Sequence, residues 1–279
     1  MNARIFVGDQ RVDAIPADDR GLAYGDGLFE TMRVEAGQIP WWDAHWARLQ
    51  RGSQHLRMVL PDAGQVRGEA DALFADRAGG VLKLIMTRGG SGGRGYAPTS
   101  TQPNWILSRQ PLPMPSPRGG LALRWCATRL AIQPALAGIK HCNRLEQVLA
   151  RAEWNDPATP GQDADEGLMC SGEGDVVCAT AANLFVLRES RWWTPKIDRC
   201  GVEGICRGQL MPQLDACEAR LSVADVETAD AVFLCNAVRG ILGVARLGER
   251  TWPSHPAVAE ARRRLARTHP GFSIDAEIS

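Results

Sequence analysis

The sequence predicts an α+β fold in two domains, and three observations indicate it. Strand-like and helical patterns are mixed in both halves of the 279 residues, and that length buries a sizeable core without disulfides. RQPLPMPSPRGG (109–120) holds four prolines and two glycines between the halves, which is typical of a stiff linker. We predict a small N-terminal α/β domain (1–112), a Pro-rich linker (113–119) and a larger C-terminal α/β domain (120–279).

The first half reads as strand, turn and strand, followed by two helices and two strands. ARIFVG and LFETMRVEAG predict strands, and DDRGLAYGDG between them predicts turn and loop. Residues 43–60 switch to helical spacing with Asp43 as the expected N-cap, and GQVRGEADALFADRAG predicts a second helix. VLKLIMTRG and WILSRQ predict strands on either side of the glycine-rich loop RGGSGGRGY.

The second half repeats the mixture in a different order. LALRWCATRLAI predicts a strand and RLEQVLARAEW a helix. DEGLMCS, DVVCATAANLFVL and RWWTP predict three strands, which GICRGQLMPQLDACEA follows as a helix. AVFLCNA predicts a further strand and HPAVAEARRRLARTH a terminal amphipathic helix.

The charge pattern excludes several classes of function. The 32 basic and 32 acidic residues cancel, so the chain carries no electrostatic footprint for nucleic acid or an anionic membrane. No apolar run reaches about 18 residues, the length of a membrane span. The N-terminus lacks the basic and then apolar pattern of a secretory signal. We therefore expect a cytoplasmic protein that binds neither nucleic acid nor membrane.

The eight cysteines favour a structural role over metal binding. None forms a CxxC pair, and no histidine lies at a spacing that completes a zinc site. Most lie in apolar contexts such as VVCAT and FLCNA, so we expect reduced, buried thiols and no metal.

Lysine is rare in this chain, and its positions are informative. Of the 32 basic residues only Lys83, Lys140 and Lys196 are lysines. Arginine replaces lysine in most roles, but not where an amine must lose its proton and form an imine. Lys140 is the strongest candidate, because apolar neighbours in LAGIKHCNRLEQVL would partly desolvate it. Chance retention is the alternative for each lysine, most of all for strand residue Lys83 and turn residue Lys196.

Three further patterns suit an anionic ligand. GVEGICRGQL (201–210) is a glycine-flanked helix start, whose backbone amides suit a phosphate. Arg88, Arg94 and Tyr96 lie in RGGSGGRGY, where mobile arginines suit a carboxylate. The alternatives are an ordinary glycine turn and a solvated loop.

The third pattern lies in the first predicted helix. His45 and Arg48 in DAHWARLQ are about one helical turn apart and would share a face. The alternative is an exposed pair on a solvated helix.

In this order the motifs resemble the fold-type-IV pyridoxal-phosphate (PLP) enzymes, which share a two-domain, D-amino acid aminotransferase-like fold. The stretches that carry the resemblance run from residue 19 to about 237: DRGLAYGDGLFETMRV, AHWARLQ, TRGGSGGRGY, LAGIKHCNRLEQVLAR, ATAANLF, TPKIDRCGVEGICR and DAVFLCNA. LAGIKHCNRLEQ and GGSGGRGY are similar to the lyase branch of the family, whereas the other stretches would admit any member.

The resemblance implies roles for individual residues. Lys140 matches the lysine that binds the cofactor and moves protons, and Arg48 matches the arginine that pairs with its phosphate. The implied phosphate cradle is the backbone of Ile205 and Cys206, with a second contact at Asn236 and Ala237. On the substrate side the resemblance implies Thr31 as a catalytic residue and Arg94, Tyr96 and Tyr24 as binding residues.

The activity implied is that of a homodimeric lyase in folate biosynthesis, which converts 4-amino-4-deoxychorismate to 4-aminobenzoate and pyruvate. Two alternatives stay open: an aminotransferase of the same fold for branched-chain or D-amino acids, and a catalytically impaired binding subunit. A transamination assay separates the first, and the joint retention of Lys140, Arg48 and GVEGICR opposes the second.

One position departs from the family pattern. Cys178 stands where the family has a glutamate that holds the proton of the pyridine nitrogen. A neutral buried thiol cannot hold that proton. Three explanations compete: the lyase reaction needs less of an electron sink, Glu173 or Asp175 reaches in from the same hairpin, or ordinary activity is lost.

Overall fold

The computed structural model of the chain describes residues 3–90, 95–98, 102–156, 158 and 163–272. The chain divides into two compact units. Unit 1 comprises Met1–Leu112 and Ile139–Asn143, and unit 2 comprises Pro113–Gly138 and Arg144–Ser279. Each unit combines a sheet with helices, and the α+β prediction is confirmed.

Unit 1 is an antiparallel sheet of five strands with helices on one face. Its elements are β1 Ala3–Val7, β2 Gln10–Val12, α1 Arg20–Tyr24, β3 Gly27–Val34, α2 Trp42–Leu56, α3 Ala63–Leu73, β4 Gly80–Thr87 and β5 Asn104–Gln110. The strands lie in the order β2-β1-β5-β4-β3, so the outer edge of β3 is an edge of this sheet. Alternate residues of β3, such as Leu28 and Met32, are buried in one core with Leu49 of α2 and Val66 of α3.

The segment that carries Lys140 completes the β3 edge. The Phe29 N–H donates to the Lys140 carbonyl (3.0 Å), and the Cys142 N–H donates to the Gly27 carbonyl (2.9 Å). Leu28 and His141 form an antiparallel bridge between them. The sequence prediction placed Lys140 in the C-terminal domain. In the structure it belongs with unit 1, because an open strand edge accepts backbone hydrogen bonds from any extended segment.

Unit 2 is a mixed sheet of nine strands with four helices. Its elements are β6 Leu121–Trp125, α4 Leu145–Ala152, β7 Glu166–Cys170, β8 Val176–Ala179, β9 Asn183–Arg188, β10 Arg191–Pro195, α5 Ile205–Leu214, β11 Cys217–Ala219, α6 Val223–Glu227, β12 Ala231–Asn236, β13 Gly240–Leu247, β14 Arg250–Thr251 and α7 Pro256–Ala266. The order is β11-β10-β9-β12-β13-β6-β7-β8, with β14 paired to β13. The sheet curls, since Val176 of β8 donates its N–H to the Leu221 carbonyl beyond β11 (2.8 Å).

Several predicted elements need correction. Trp41, not Asp43, is the N-cap of α2, and no side chain caps it. DRGLAYG, expected as loop, forms α1 because the Asp19 carboxylate accepts the Leu22 N–H. DVVCATAANLFVL is two strands, β8 and β9, and the helix predicted over GICRGQLMPQLDACEA stops at Leu214, so that β11 follows.

Candidate active site

In unit 1, Lys140 lies over an aromatic ring on β3. Its Nζ is 4.1 Å from the centroid of Phe29, and Lys83 on β4 approaches the same ring at 5.7 Å. Thr31 lies opposite Lys83 in the strand register, on the same half-buried face as Phe29. The structure therefore places Lys140 over Phe29, two residues from Thr31 along the same face of β3. Lys196 instead lies 3.3 Å from Asp198 in unit 2.

Beneath α2, the buried carboxylate of Glu30 binds His45 and Arg48, the two residues that helical spacing places on one face. The Glu30 side chain accepts from Arg48 Nε (2.8 Å) and Nη2, and its other contact is His45 Nδ1 at 2.6 Å. Glu30 and His45 are 1% exposed and Arg48 is 6% exposed. Arg48 is thus held by two parallel hydrogen bonds, an arrangement that fixes the plane of its guanidinium.

Burial and neighbouring charges set the protonation of this cluster. Burial alone would raise the pKa of Glu30, but the Arg48 charge and the His45 and Arg48 hydrogen bonds lower it to about 2. Burial lowers the pKa of His45, and the charges of Arg48 and Lys140 lower it further against the opposing effect of Glu30. A neutral His45 donates Nδ1–H to an ionised Glu30. Sequence analysis missed Glu30, although an acid among the apolar residues of an inward strand face was a signal.

Two of the predicted substrate-binding residues form a pair near the start of β3. Tyr24 of α1 and Tyr96 are 38% and 84% exposed, and their ring centroids are 5.4 Å apart. Arg94 lies outside the described residues. Arg88 binds Asp26 and two backbone carbonyls, so this candidate carboxylate ligand has a structural role.

In unit 2, the start of α5 has the geometry of an anion site. Gly204 is the N-cap, and no side chain caps the helix. The first amides of the helix, which include those of Ile205 and Cys206, therefore have no side-chain acceptor at the cap. A Cβ on Gly204 would lie 2.0 Å from Asn183 Oδ1, so only glycine fits beside this side chain. Asn183, which sequence analysis did not single out, donates Nδ2–H to the Val202 carbonyl (2.9 Å) and holds the turn.

The end of β12 lies beside the same helix start. The side chains of Cys206 and Cys235 are buried and hydrogen-bonded to each other, and burial raises the pKa of Cys206. Asn236 accepts the Val238 and Arg239 N–H groups (3.0 and 2.8 Å) and donates to the Ala181 carbonyl (3.2 Å). Its side chain therefore shapes the turn that contains Ala237. A phosphate contact from this turn would come from the backbone.

The arginine of the GVEGICR motif does not contribute to this cradle. Arg207 is 6% exposed and points to the sheet, where it bonds Thr194 Oγ1 (3.2 Å), the Pro195 carbonyl (3.1 Å) and Glu218. It anchors α5 against β10 and β11.

Cys178 lies in a cluster of buried thiols. None of the eight cysteines, all of which lie in the described residues, forms a disulfide, and Cys178 packs in one core with Cys126 and Cys200. Burial raises the pKa of Cys178 to about 12, so the thiol is neutral. Glu173 binds Arg199, and Asp175 lies 3.8 Å from Arg220. Both carboxylates therefore pair with arginines at or near the surface, which opposes the explanation that one of them replaces the family glutamate.

Comparison with known proteins gives the family. The sequence model described as amino-transferase class IV matches residues 27–247. The chain belongs to this family. It is 34% identical to aminodeoxychorismate lyase of Vibrio harveyi over 241 residues, which cover 83% of this chain and 86% of the relative.

The chain is also similar to solved structures. The crystal structure of 4-amino-4-deoxychorismate lyase from Pseudomonas aeruginosa superposes with a TM-score of 0.85 at 41% identity, covering 94% of this chain and 98% of that one. A hypothetical aminotransferase from Mycobacterium tuberculosis in its PLP-bound form superposes at 0.78 with 20% identity, covering 95% and 98%. That second likeness establishes the fold alone. In the described part of this family member, no helix has the length and apolarity needed to cross a membrane.

Proposed function

We propose that this member of the class IV aminotransferase family is a PLP-dependent lyase that converts 4-amino-4-deoxychorismate to 4-aminobenzoate and pyruvate. The observation that carries the proposal is the likeness to the Pseudomonas lyase, at 41% identity over 94% of the chain. The product 4-aminobenzoate places the reaction in folate biosynthesis.

The residues present fit a phosphate-bearing cofactor. The uncapped start of α5, with a glycine that no side chain can replace without displacing Asn183, suits a phosphate in unit 2. By the family resemblance, Arg48 would pair with the single phosphate of the cofactor and Lys140 would hold its aldehyde carbon. PLP supplies an electron sink for the charge that develops when the amine-bearing carbon loses its proton.

The chain's own residues then bind the substrate and move protons. Lys140 is the base for the proton on the amine-bearing carbon, and the Phe29 ring beneath it limits the water around its amine. Thr31, on the same face of β3, would assist proton delivery as the ether breaks. Tyr24, Tyr96 and Arg94 hold the substrate ring and its carboxylates.

Cys178 favours elimination over amino-group transfer. If Cys178 takes the place of the family glutamate, a thiol with a pKa of about 12 would give the ring nitrogen no ionic partner. The lyase reaction tolerates this, because the product ring becomes aromatic and that gain drives the elimination. Transamination has no such gain and depends more on a protonated ring.

The experiment follows both products and tests the rival aminotransferase in parallel. Purified protein with PLP and 4-amino-4-deoxychorismate should release 4-aminobenzoate and pyruvate in equal amounts, and should form little product from amino and keto acids. Lys140→Ala should abolish turnover and the adduct that borohydride fixes. Lys83→Ala is the matched control, since Lys83 approaches the same Phe29 ring from the neighbouring strand.

Three outcomes would contradict the proposal. Normal turnover by Lys140→Ala would remove Lys140 from catalysis. Transamination without 4-aminobenzoate would make the chain an aminotransferase. No cofactor binding at any PLP concentration would favour the binding-subunit alternative.

We also propose a homodimer in the cytoplasm. Helix α4 of unit 2 exposes three apolar side chains on one side: Leu145 is 75% exposed, and Val148 and Leu149 are 59% exposed. Such a stripe is typical of a surface that another chain covers. A second copy of this chain is the partner that family likeness supports.

A further inference from the structure

The two tyrosines of this chain contact each other on the surface. The sequence contains two tyrosines among 279 residues, Tyr24 and Tyr96, and they lie 72 positions apart. Their rings are tilted by 57° with centroids 5.4 Å apart, and both remain exposed. Large aromatic rings are usually buried, so an exposed pair drawn from distant segments suggests a ligand that packs against it.

A buried arginine holds the Tyr96 side of this pair. Arg20 is 4% exposed, and its guanidinium donates from Nη1 to the Gly95 carbonyl (3.1 Å) and from Nη2 to the Tyr96 carbonyl (2.8 Å). The same group lies 4.9 Å from the Tyr24 ring centroid. Arg20 therefore contacts both members of the pair.

The same arginine shares its carboxylate with the other end of the glycine-rich segment. Asp26 Oδ2 accepts from Arg20 Nε (2.9 Å) and from Arg88 Nε (2.7 Å), and Asp26 Oδ1 accepts from Arg88 Nη2 (3.1 Å). Arg88 follows β4, whereas Gly95 and Tyr96 come later in the segment. One carboxylate thus joins the two ends.

Helix α1, which carries Arg20, is itself fixed to the sheet. Asp19 is fully buried, and its Oδ2 accepts from Thr87 Oγ1 (2.5 Å) and Asn104 Nδ2 (2.7 Å), while its Oδ1 accepts the Leu22 N–H. The guanidinium of Arg20 accordingly projects from a rigid base, and the position of Tyr96 follows from it.

We propose that Arg20 and Asp26 are positioning residues that hold Tyr96 beside Tyr24, so that the two rings receive the cyclohexadiene ring of an anionic substrate. The identity of that substrate rests on the proposed function. The positioning of Tyr96 by Arg20 does not.

The test is a double-mutant cycle. Arg20→Lys keeps the charge but replaces three donor nitrogens spread across a planar fork by a single nitrogen, which cannot reach the Gly95 and Tyr96 carbonyls and the Asp26 carboxylate together. It should raise KM for 4-amino-4-deoxychorismate about tenfold, the loss expected for a charged hydrogen bond, with kcat within about twofold. In a Tyr96→Ala background the same substitution should change KM by less than about twofold, because Arg20 acts through Tyr96. Arg67→Lys, at an exposed pair with Asp71, is the matched control.

A second measurement tests the arrangement of Tyr24 and Tyr96 in the absence of substrate. Nitration by tetranitromethane, mapped by mass spectrometry, should modify Tyr96 faster than Tyr24 in the parent protein. Arg20→Lys and Asp26→Asn should both bring the two rates together, and Asp26→Asn serves if Arg20→Lys fails to fold. An unchanged KM, an equal rise in KM without Tyr96, or unchanged nitration rates would overturn the proposal. If the parent protein has no lyase activity, nitration still decides the positioning.

Discussion

Glu30 decides the charge state of the residues around Arg48. It faces a guanidinium and an imidazole where water does not reach, so its carboxylate must stay ionised to keep both bonded. Removal of that charge would leave the Arg48 cation buried without its ionic partner. The stability of unit 1 should therefore depend on a single acid.

Glu30→Gln should destabilise the protein in a pH-dependent way. The pKa of Glu30 lies at about 2 in the folded protein, below its ordinary 4.5, so its contribution is present above pH 4.5 and is lost as pH falls toward 2. The variant should lose about 3 kcal/mol of unfolding free energy at pH 7, at about 1.4 kcal/mol per pKa unit. The difference between parent and variant should shrink below pH 4.5.

Urea unfolding of both proteins between pH 3 and 7 measures this difference. Glu249→Gln, at an exposed turn, is the control and should track the parent at every pH. A Glu30→Gln deficit that stayed constant with pH would contradict the assigned charge state.

Among single residues, the sequence identifies those whose type is rare in this chain and misses those whose role depends on tertiary contacts. Lys140 stands out because arginine replaces nearly every other lysine, and the His45–Arg48 face follows from helical spacing. Glu30 and Asn183 do not stand out, since their partners are 15 and 19 residues away along the chain. Arg207 looks like a ligand in sequence and acts as an anchor in the fold.

Helix α5 is built around its first turn. Gly204 lies so close to Asn183 that the start of α5 packs directly against the start of β9. The proposed phosphate site depends on that close approach. Gly208, four residues later and exposed, has no atom within 4 Å of the position that a Cβ would take. A Cβ would therefore clash at Gly204 and meet nothing at Gly208, so the two positions should respond oppositely to substitution by alanine.

Gly204→Ala and Gly208→Ala form a matched pair. Gly204→Ala should displace Asn183, lower the unfolding free energy by about 1–3 kcal/mol and weaken PLP binding. Gly208→Ala should raise the unfolding free energy by about 0.5–1 kcal/mol, because alanine favours helix, and should leave PLP binding unchanged. Denaturation and PLP titration measure both. A Gly204→Ala protein with unchanged PLP affinity would remove α5 from the cofactor site.

Among elements, long periodic stretches are predictable and short ones are not. Helices α2 and α3 and strands β3 and β4 follow from their spacing. Helix α1 has five residues and exists because Asp19 caps it and two other side chains bind that carboxylate. Strand β11 was hidden within a predicted helix, since its three residues carry too little pattern. Strand β13 is an exception, because it has eight residues and was still not predicted.

The whole molecule is expected to assemble through α4. Leu149→Glu should shift the protein from dimer to monomer in analytical ultracentrifugation, because a carboxylate cannot be buried there without a partner. Val59→Glu is the control, since Val59 is 51% exposed on unit 1 and outside the α4 stripe. A Leu149→Glu protein that remained dimeric would place the interface elsewhere.

The return of Ile139–Asn143 to unit 1 has a consequence for synthesis. Residues 1–112 leave the ribosome before the segment that covers the outer edge of β3, and residues 113–138 must emerge in between. Throughout that interval β3 offers an unpaired edge, the kind of surface that recruits strands from other chains. Translation products that end before residue 143 should therefore aggregate. Chains that extend past it cover their own β3 edge with the same segment that supplies Lys140.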